Sequence, residues 1–192
     1  MSGRPNWFIG LRVESELAVP TDAPAAVRVF DREDWHLTVI FLGGCGEQVA
    51  QQAFAALESM TYPGFQAELA EVVPMGNPKR YSALSALLSA GREEVESWMQ
   101  HARTTVEQAL RASADPDAAA VRFDRRPVKA HLTLARPQRR ATDEERAAAL
   151  AWGQALPTAG VPARLPSLAL YTWSEDRARR LFRIVQQRDA EA

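Results

Sequence analysis

The 192 residues predict an α+β protein of mainly antiparallel sheet with outer helices. Three observations carry that expectation. Short apolar runs alternate with a period of two and are separated by turn residues. Only a few segments show helical spacing. The order of these elements recurs after about 95 residues, which suggests two similar halves.

Taken in order, "WFIGLRV" (7–13) reads as the first strand and "HLTVIFL" (36–42) as the next. After the polar turn "GGCGEQ" comes a helix over 47–60, then a strand opened by Gly64, then "YSALSALLSA" (81–90) as a further strand. A long helix over 92–114 and the polar loop "DPDAA" follow, with "AVRF" (120–123) expected as a strand. The second half begins with "HLTLARP" (131–137) and the turn "PQRRATDEE". Next is a helix over 142–156, whose Thr142 and Glu145 have the spacing of a capping box. A strand opened by Gly160 and a last strand over 177–187 complete it. The histidines are 95 apart and the glycines 96, so the spacing holds. Residues 1–192 are expected to form one bilobal domain with an internal repeat at about 36–90 and 131–187. The two lobes would be related by a pseudo-twofold axis, with a ligand cleft between them.

Apolar residues make up 46% and charged residues 24%, as in soluble globular proteins. No apolar run approaches the roughly 20 residues that span a bilayer, so no membrane association is expected. The N-terminus lacks the pattern of a signal peptide, and the single Cys45 fits a reducing cytoplasm. Beside "GG", that cysteine reads as a small packing residue rather than a nucleophile. Net charge is −1, which argues against a general polyanion binder. Its distribution is uneven: residues 1–120 hold nine Lys/Arg against sixteen Asp/Glu, and 121–192 hold fourteen against eight. The tract 122–140 has seven basic residues and only Asp124 as an acid, which suggests a local anion site.

The chemistry lies in the repeated His-Leu-Thr. Strict alternation puts His36, Thr38 and Ile40 on one face, against Leu37, Val39 and Phe41 on the core face. Likewise His131, Thr133 and Ala135 share a face opposite Leu132 and Leu134. Two buried imidazoles without partners would be costly, so both must face a polar groove. Across a groove they form an acid–base pair, since one can be neutral and the other protonated near pH 7. Thr38 and Thr133 would donate to an oxyanion, and the Arg136 guanidinium suits a phosphate oxygen. This set fits in-line displacement at phosphorus. His101, in the long helix, has no counterpart and reads as a surface or packing residue. Zinc would want three or four ligands at short spacing, so no metal is expected. A phosphate-binding Gly-x-x-x-x-Gly-Lys-Ser/Thr loop and a Gly-x-Ser-x-Gly elbow are both absent from the sequence.

"HLTVIFLGG" and "KAHLTLARP" resemble the paired His-x-Thr signatures of the 2H phosphoesterase superfamily, most of all its RNA 2′,3′-cyclic phosphodiesterases, also described as 2′-5′ RNA ligases. "NWFIGLRV", "VRVFDREDWHLT" and "LALYTWSE" extend the resemblance over nearly the whole chain. It implies a bilobal fold, no required metal, and hydrolysis of a cyclic phosphate on an RNA or oligonucleotide end to the 2′-phosphate; no cofactor is expected, and the chain is expected to be a monomer. It also implies that His36 protonates the departing 3′-oxygen, that His131 activates water, and that Thr38, Thr133 and Arg136 hold the phosphate. The sequence itself leaves open which histidine is the acid. Other readings are a 2′-5′ linked oligonucleotide or an ADP-ribose-type cyclic phosphate as substrate, reversible ligation, and a non-catalytic module for RNA ends. Phe41, Trp35 and Trp173 read as core aromatics with base stacking as the alternative, and Arg80 reads as a solvent-exposed turn arginine with a cation for the cleft as the alternative.

Overall fold

The computed structural model describes residues 5–77 and 80–191. Its strands are β1 (Trp7–Ser15), β2 (Val27–Val29), β3 (His36–Gly43), β4 (Phe65–Asn77), β5 (Arg80–Leu88), β6 (His131–Pro137), β7 (Pro162–Trp173) and β8 (Phe182–Asp189). The helices are α1 (Glu47–Ala55), α2 (Arg92–Arg111), α3 (Pro116–Ala119) and α4 (Asp143–Gln154). The α+β, antiparallel architecture expected from the sequence is present. The strands form one eight-stranded sheet in the order β1-β3-β6-β5-β4-β7-β8, with β2 beside β6. Because β1 also pairs with β7, six of these strands close into a ring.

Ridges at helical spacing explain how the helices sit. Val95, Met99, Ala102, Val106 and Leu110 form the buried stripe of α2, which packs on α1 and β3. α2 starts at Gly91, whose φ of 73° favours glycine; a Cβ there would lie 2.4 Å from the Gln66 carbonyl oxygen. α4 has the expected capping box, with Thr142 Oγ1 accepting from Glu145 N and Glu145 Oε2 from Thr142 N. It packs on β4, β5 and β6.

Cross-strand partners relate the two halves. Leu37, one residue after His36, pairs with Leu132, one residue after His131. Ala67, three after Gly64, pairs with Ala163, three after Gly160. Antiparallel pairing between positions that correspond in sequence is what a local twofold axis requires. In strand neighbours, β5 lies between β4 and β6 as β1 lies between β7 and β3, while β8 bonds to β7 alone. We propose that the chain is a duplicated unit whose second copy is completed by β1 from the start of the chain.

Three expectations shift. "AVRF" (120–123) is not a strand, because Asp115 and Pro116 start α3, whose last turn runs on to Val121 through a bond to the Ala118 carbonyl. The last strand begins at Phe182 instead of 177, since the Asp176 carboxylate accepts from Ala178 N at 3.1 Å and holds a turn. The first helix ends at Ala55, ahead of successive turns.

Candidate active site

Each histidine starts a strand, and each ring is fixed in the same way. His36 Nδ1 donates to the Asp34 carbonyl and His131 Nδ1 to the Lys129 carbonyl, both at 2.7 Å. A carbonyl only accepts, so the Nδ1 proton is held there and Nε2 keeps a free lone pair in the neutral ring.

A β-bulge follows each His-x-Thr. On β3, Gly10 pairs with Thr38 but Ile9 pairs with Ile40, leaving Val39 as the extra residue. On β6, Ser85 pairs with Thr133 but Leu84 pairs with Ala135, leaving Leu134 as the extra residue. The bulge carbonyls find other donors: Arg103 Nε of α2 reaches Val39 O at 2.6 Å, and Phe30 N reaches Leu134 O at 2.8 Å. An extra residue reverses the side-chain alternation beyond it. Ile40 and Ala135, expected on the His-Thr face, are therefore buried in the core, while Phe41 and Arg136 face the cleft. Phe41, expected as core, is 50% exposed. Phe41 and Arg136 correspond across the 95-residue offset, one copy carrying a ring and the other a cation.

His36, His131, Thr38, Thr133 and Arg136 all line one open cavity of about 700 Å³. A second cavity of about 600 Å³ shares Thr38 and His131 with it and reaches Phe41. Trp35 is a core residue, Trp173 is covered by Arg177 at 4.4 Å from its ring, and His101 is exposed on α2. Burial pushes the Cys45 thiol up to about 11, so it stays protonated.

The main cavity is cationic, with five Lys/Arg against Glu96 and Asp124. Both acids are engaged: Glu96 accepts from Ala130 N at 2.9 Å and Asp124 pairs with Arg126. Arg103, Arg126 and Lys129 were not singled out from the sequence. The flank position of Arg103, next to buried Ala102, was the available signal, but it did not reveal which strand the arginine meets. Arg136 has no carboxylate partner among the described residues and lies 5.3 Å from the Phe30 ring.

Burial drives the His36 pKa down from its ordinary value to about 4, and the charges of Arg136 and His131 push the same way. The ring sits among Phe8, Tyr171 and Phe182, with centroids 4.6, 5.2 and 5.4 Å away. Asp34 secures that enclosure: its carboxylate accepts from Leu181 N at 2.8 Å and Phe182 N at 3.0 Å. His131 is also lowered by burial, with Lys129, Arg103 and Arg126 adding to the effect. Among the described residues no three His, Cys, Asp or Glu side chains converge as a metal site, and no helix is long and apolar enough to cross a membrane.

No protein-family model matches this sequence, and no curated protein does. Solved structures do match. TT0787 of Thermus thermophilus is 16% identical with a TM-score of 0.66, over 97% of this chain and 100% of that one. A protein described as a phosphoesterase gives 16% and 0.65, over 98% and 99%. E. coli LigT, solved with 3′-AMP, gives 16% and 0.64, again over 98% and 99%. The likeness spans both chains from end to end and is one of fold: this chain has a 2H phosphoesterase-like fold.

Proposed function

We propose that the protein is a metal-independent phosphoesterase that hydrolyses the 2′,3′-cyclic phosphate at an RNA or oligonucleotide end to a 2′-phosphate. The observation that carries this reading is the pair of imidazoles, each with Nδ1 committed to the backbone, lining one cationic cavity with Arg136. The fold match to a protein solved with a nucleotide, LigT with 3′-AMP, supports it.

In the reaction, His131 Nε2 takes a proton from water as the water oxygen attacks phosphorus. The bond from phosphorus to the 3′-oxygen breaks, and the His36 imidazolium gives that oxygen its proton. Thr38, Thr133 and Arg136 hold the non-bridging oxygens, where hydrogen-bond donors stabilise the charge that develops. The enclosure of His36 opposes its charged form, so the anionic substrate is what favours it. Exposed Phe41 offers a face for the terminal base, a stack worth about 1–3 kcal/mol. The enzyme acts as a monomer in the cytoplasm.

The test is incubation with each nucleoside 2′,3′-cyclic phosphate and identification of the product isomer. The 2′-monophosphate is expected, without inhibition by EDTA. His36→Ala and His131→Ala should each lower the rate by roughly 10²–10⁴, and exposed His101→Ala should not. A 3′-monophosphate product, or full activity in either variant, would overturn the assignment. Binding of RNA ends with no turnover would favour a non-catalytic module. Turnover confined to 2′-5′ linkages or ADP-ribose-type compounds would redirect the substrate.

A further inference from the structure

A second cationic groove adjoins the cleft. Its lining includes Arg80, Arg139, Arg140 and Arg146, contains no acid, and shares Ser82 with the cleft. Arg80, Arg139 and Arg140 are exposed, and none of the four has a carboxylate partner among the described residues. Arg146 differs from the other three in being only 7% exposed. Its Nη1 donates to the Tyr81 carbonyl at 2.6 Å and its Nη2 to the Gln138 carbonyl at 3.2 Å, while its Nε has no partner. The nearby Glu145 carboxylate is occupied in the α4 capping box. A buried guanidinium answered only by two carbonyls and, at 5.8 Å, the Tyr81 ring has no carboxylate to balance it, which is costly unless an anion does so.

The groove lies where β6 leads out of the cleft. Arg136 is in the cleft, and Arg139 follows three residues later, within about 10 Å of extended chain. Guanidinium groups recognise phosphate oxygens by paired hydrogen bonds, and a row of them along a groove follows a nucleic-acid backbone.

We propose that Arg80, Arg139, Arg140 and Arg146 hold the backbone phosphates of nucleotides on the 5′ side of the reacting end, so that the protein takes a polynucleotide strand by its 3′ terminus in preference to a free nucleotide. This rests on the reading of the cleft given above. A lone anion would need neither the three additional exposed arginines nor continuity with the cleft.

The test uses binding, so that it does not depend on turnover. A labelled single-stranded RNA of about ten nucleotides, ending in a 3′-phosphate, is titrated against wild type and an Arg139→Ala/Arg140→Ala double variant, with Arg80→Ala as a second variant. The double variant should bind roughly 10-fold or more weakly, and its slope of log affinity against log salt should fall by about 1.4. For cyclic-phosphate substrates, the ratio of kcat/KM for the oligonucleotide to that for the mononucleotide should fall by the same factor. Equal binding by wild type and both variants would overturn the proposal, as would inorganic phosphate at low concentration displacing the RNA from the groove. If nothing is hydrolysed but RNA binding still depends on Arg139 and Arg140, the groove stands and the catalytic reading fails.

Discussion

His36 and His131 occupy corresponding places in corresponding strands, yet their surroundings differ sharply. Each begins its strand, each bonds through Nδ1 to the carbonyl two residues back, and each precedes a bulge. His36 is enclosed by three aromatic rings and is 8% exposed. His131 is only partly buried and stands among Lys129, Arg103 and Arg126. The comparison teaches that the backbone supplies aim, and the packing around each ring supplies its proton affinity.

The largest expected consequence is a pH dependence that belongs to His36. Its folded pKa of about 4 lies below the unfolded value near 6.5, so between those limits the unfolded chain binds more protons. Stability should therefore rise with pH across that window, by up to about 3 kcal/mol, and fall again on acidification. Denaturation at a series of pH values should show this step in wild type and lose it in His36→Gln. The kcat/KM profile should be a bell with its maximum below about 6.5, because both rings are lowered in the free protein. A maximum above pH ~7.5 would contradict the enclosure of His36.

The neighbours across the sheet offer a smaller, sharper contrast. Gly10 faces Thr38, and its counterpart Ser85 faces Thr133. A Cβ on Gly10 would stand 3.1 Å from the Leu37 carbonyl oxygen and 3.3 Å from His36 Cδ2, whereas Ser85 fits and shares a 3.2 Å hydrogen bond with Thr133. Gly10→Ala should displace the His36 ring and lower kcat by about tenfold or more, since small misplacements are costly in catalysis. Ser85→Ala removes a single hydrogen bond and should cost less than about fivefold. Equal effects in steady-state kinetics would remove the distinction between the two sides.

The residues with the most specific chemistry were the most legible. A duplicated His-x-Thr in apolar runs, with the basic tract beside the second copy, led to His36, Thr38, His131, Thr133 and Arg136, which all line one cavity, and the Thr142–Glu145 capping box placed α4 correctly. The bulges were not legible, because Val39 and Leu134 are ordinary strand residues whose extra place appears only once β1 and β5 fix the register. That omission hid the turn of Phe41 and Ile40 relative to the cleft. Arg103, Arg139 and Arg140 were visible only as charge, since their meaning depends on which segments fold beside them. β2 is three residues long and leaves too short a pattern to read.

The central claim is tested most directly by following the imidazole resonances of His36 and His131 in an NMR titration with a nucleoside 2′-monophosphate, the proposed product. Both rings should shift together with one dissociation constant and a stoichiometry of one. Movement of a single ring, or two unrelated binding curves, would show that the imidazoles do not share a phosphate.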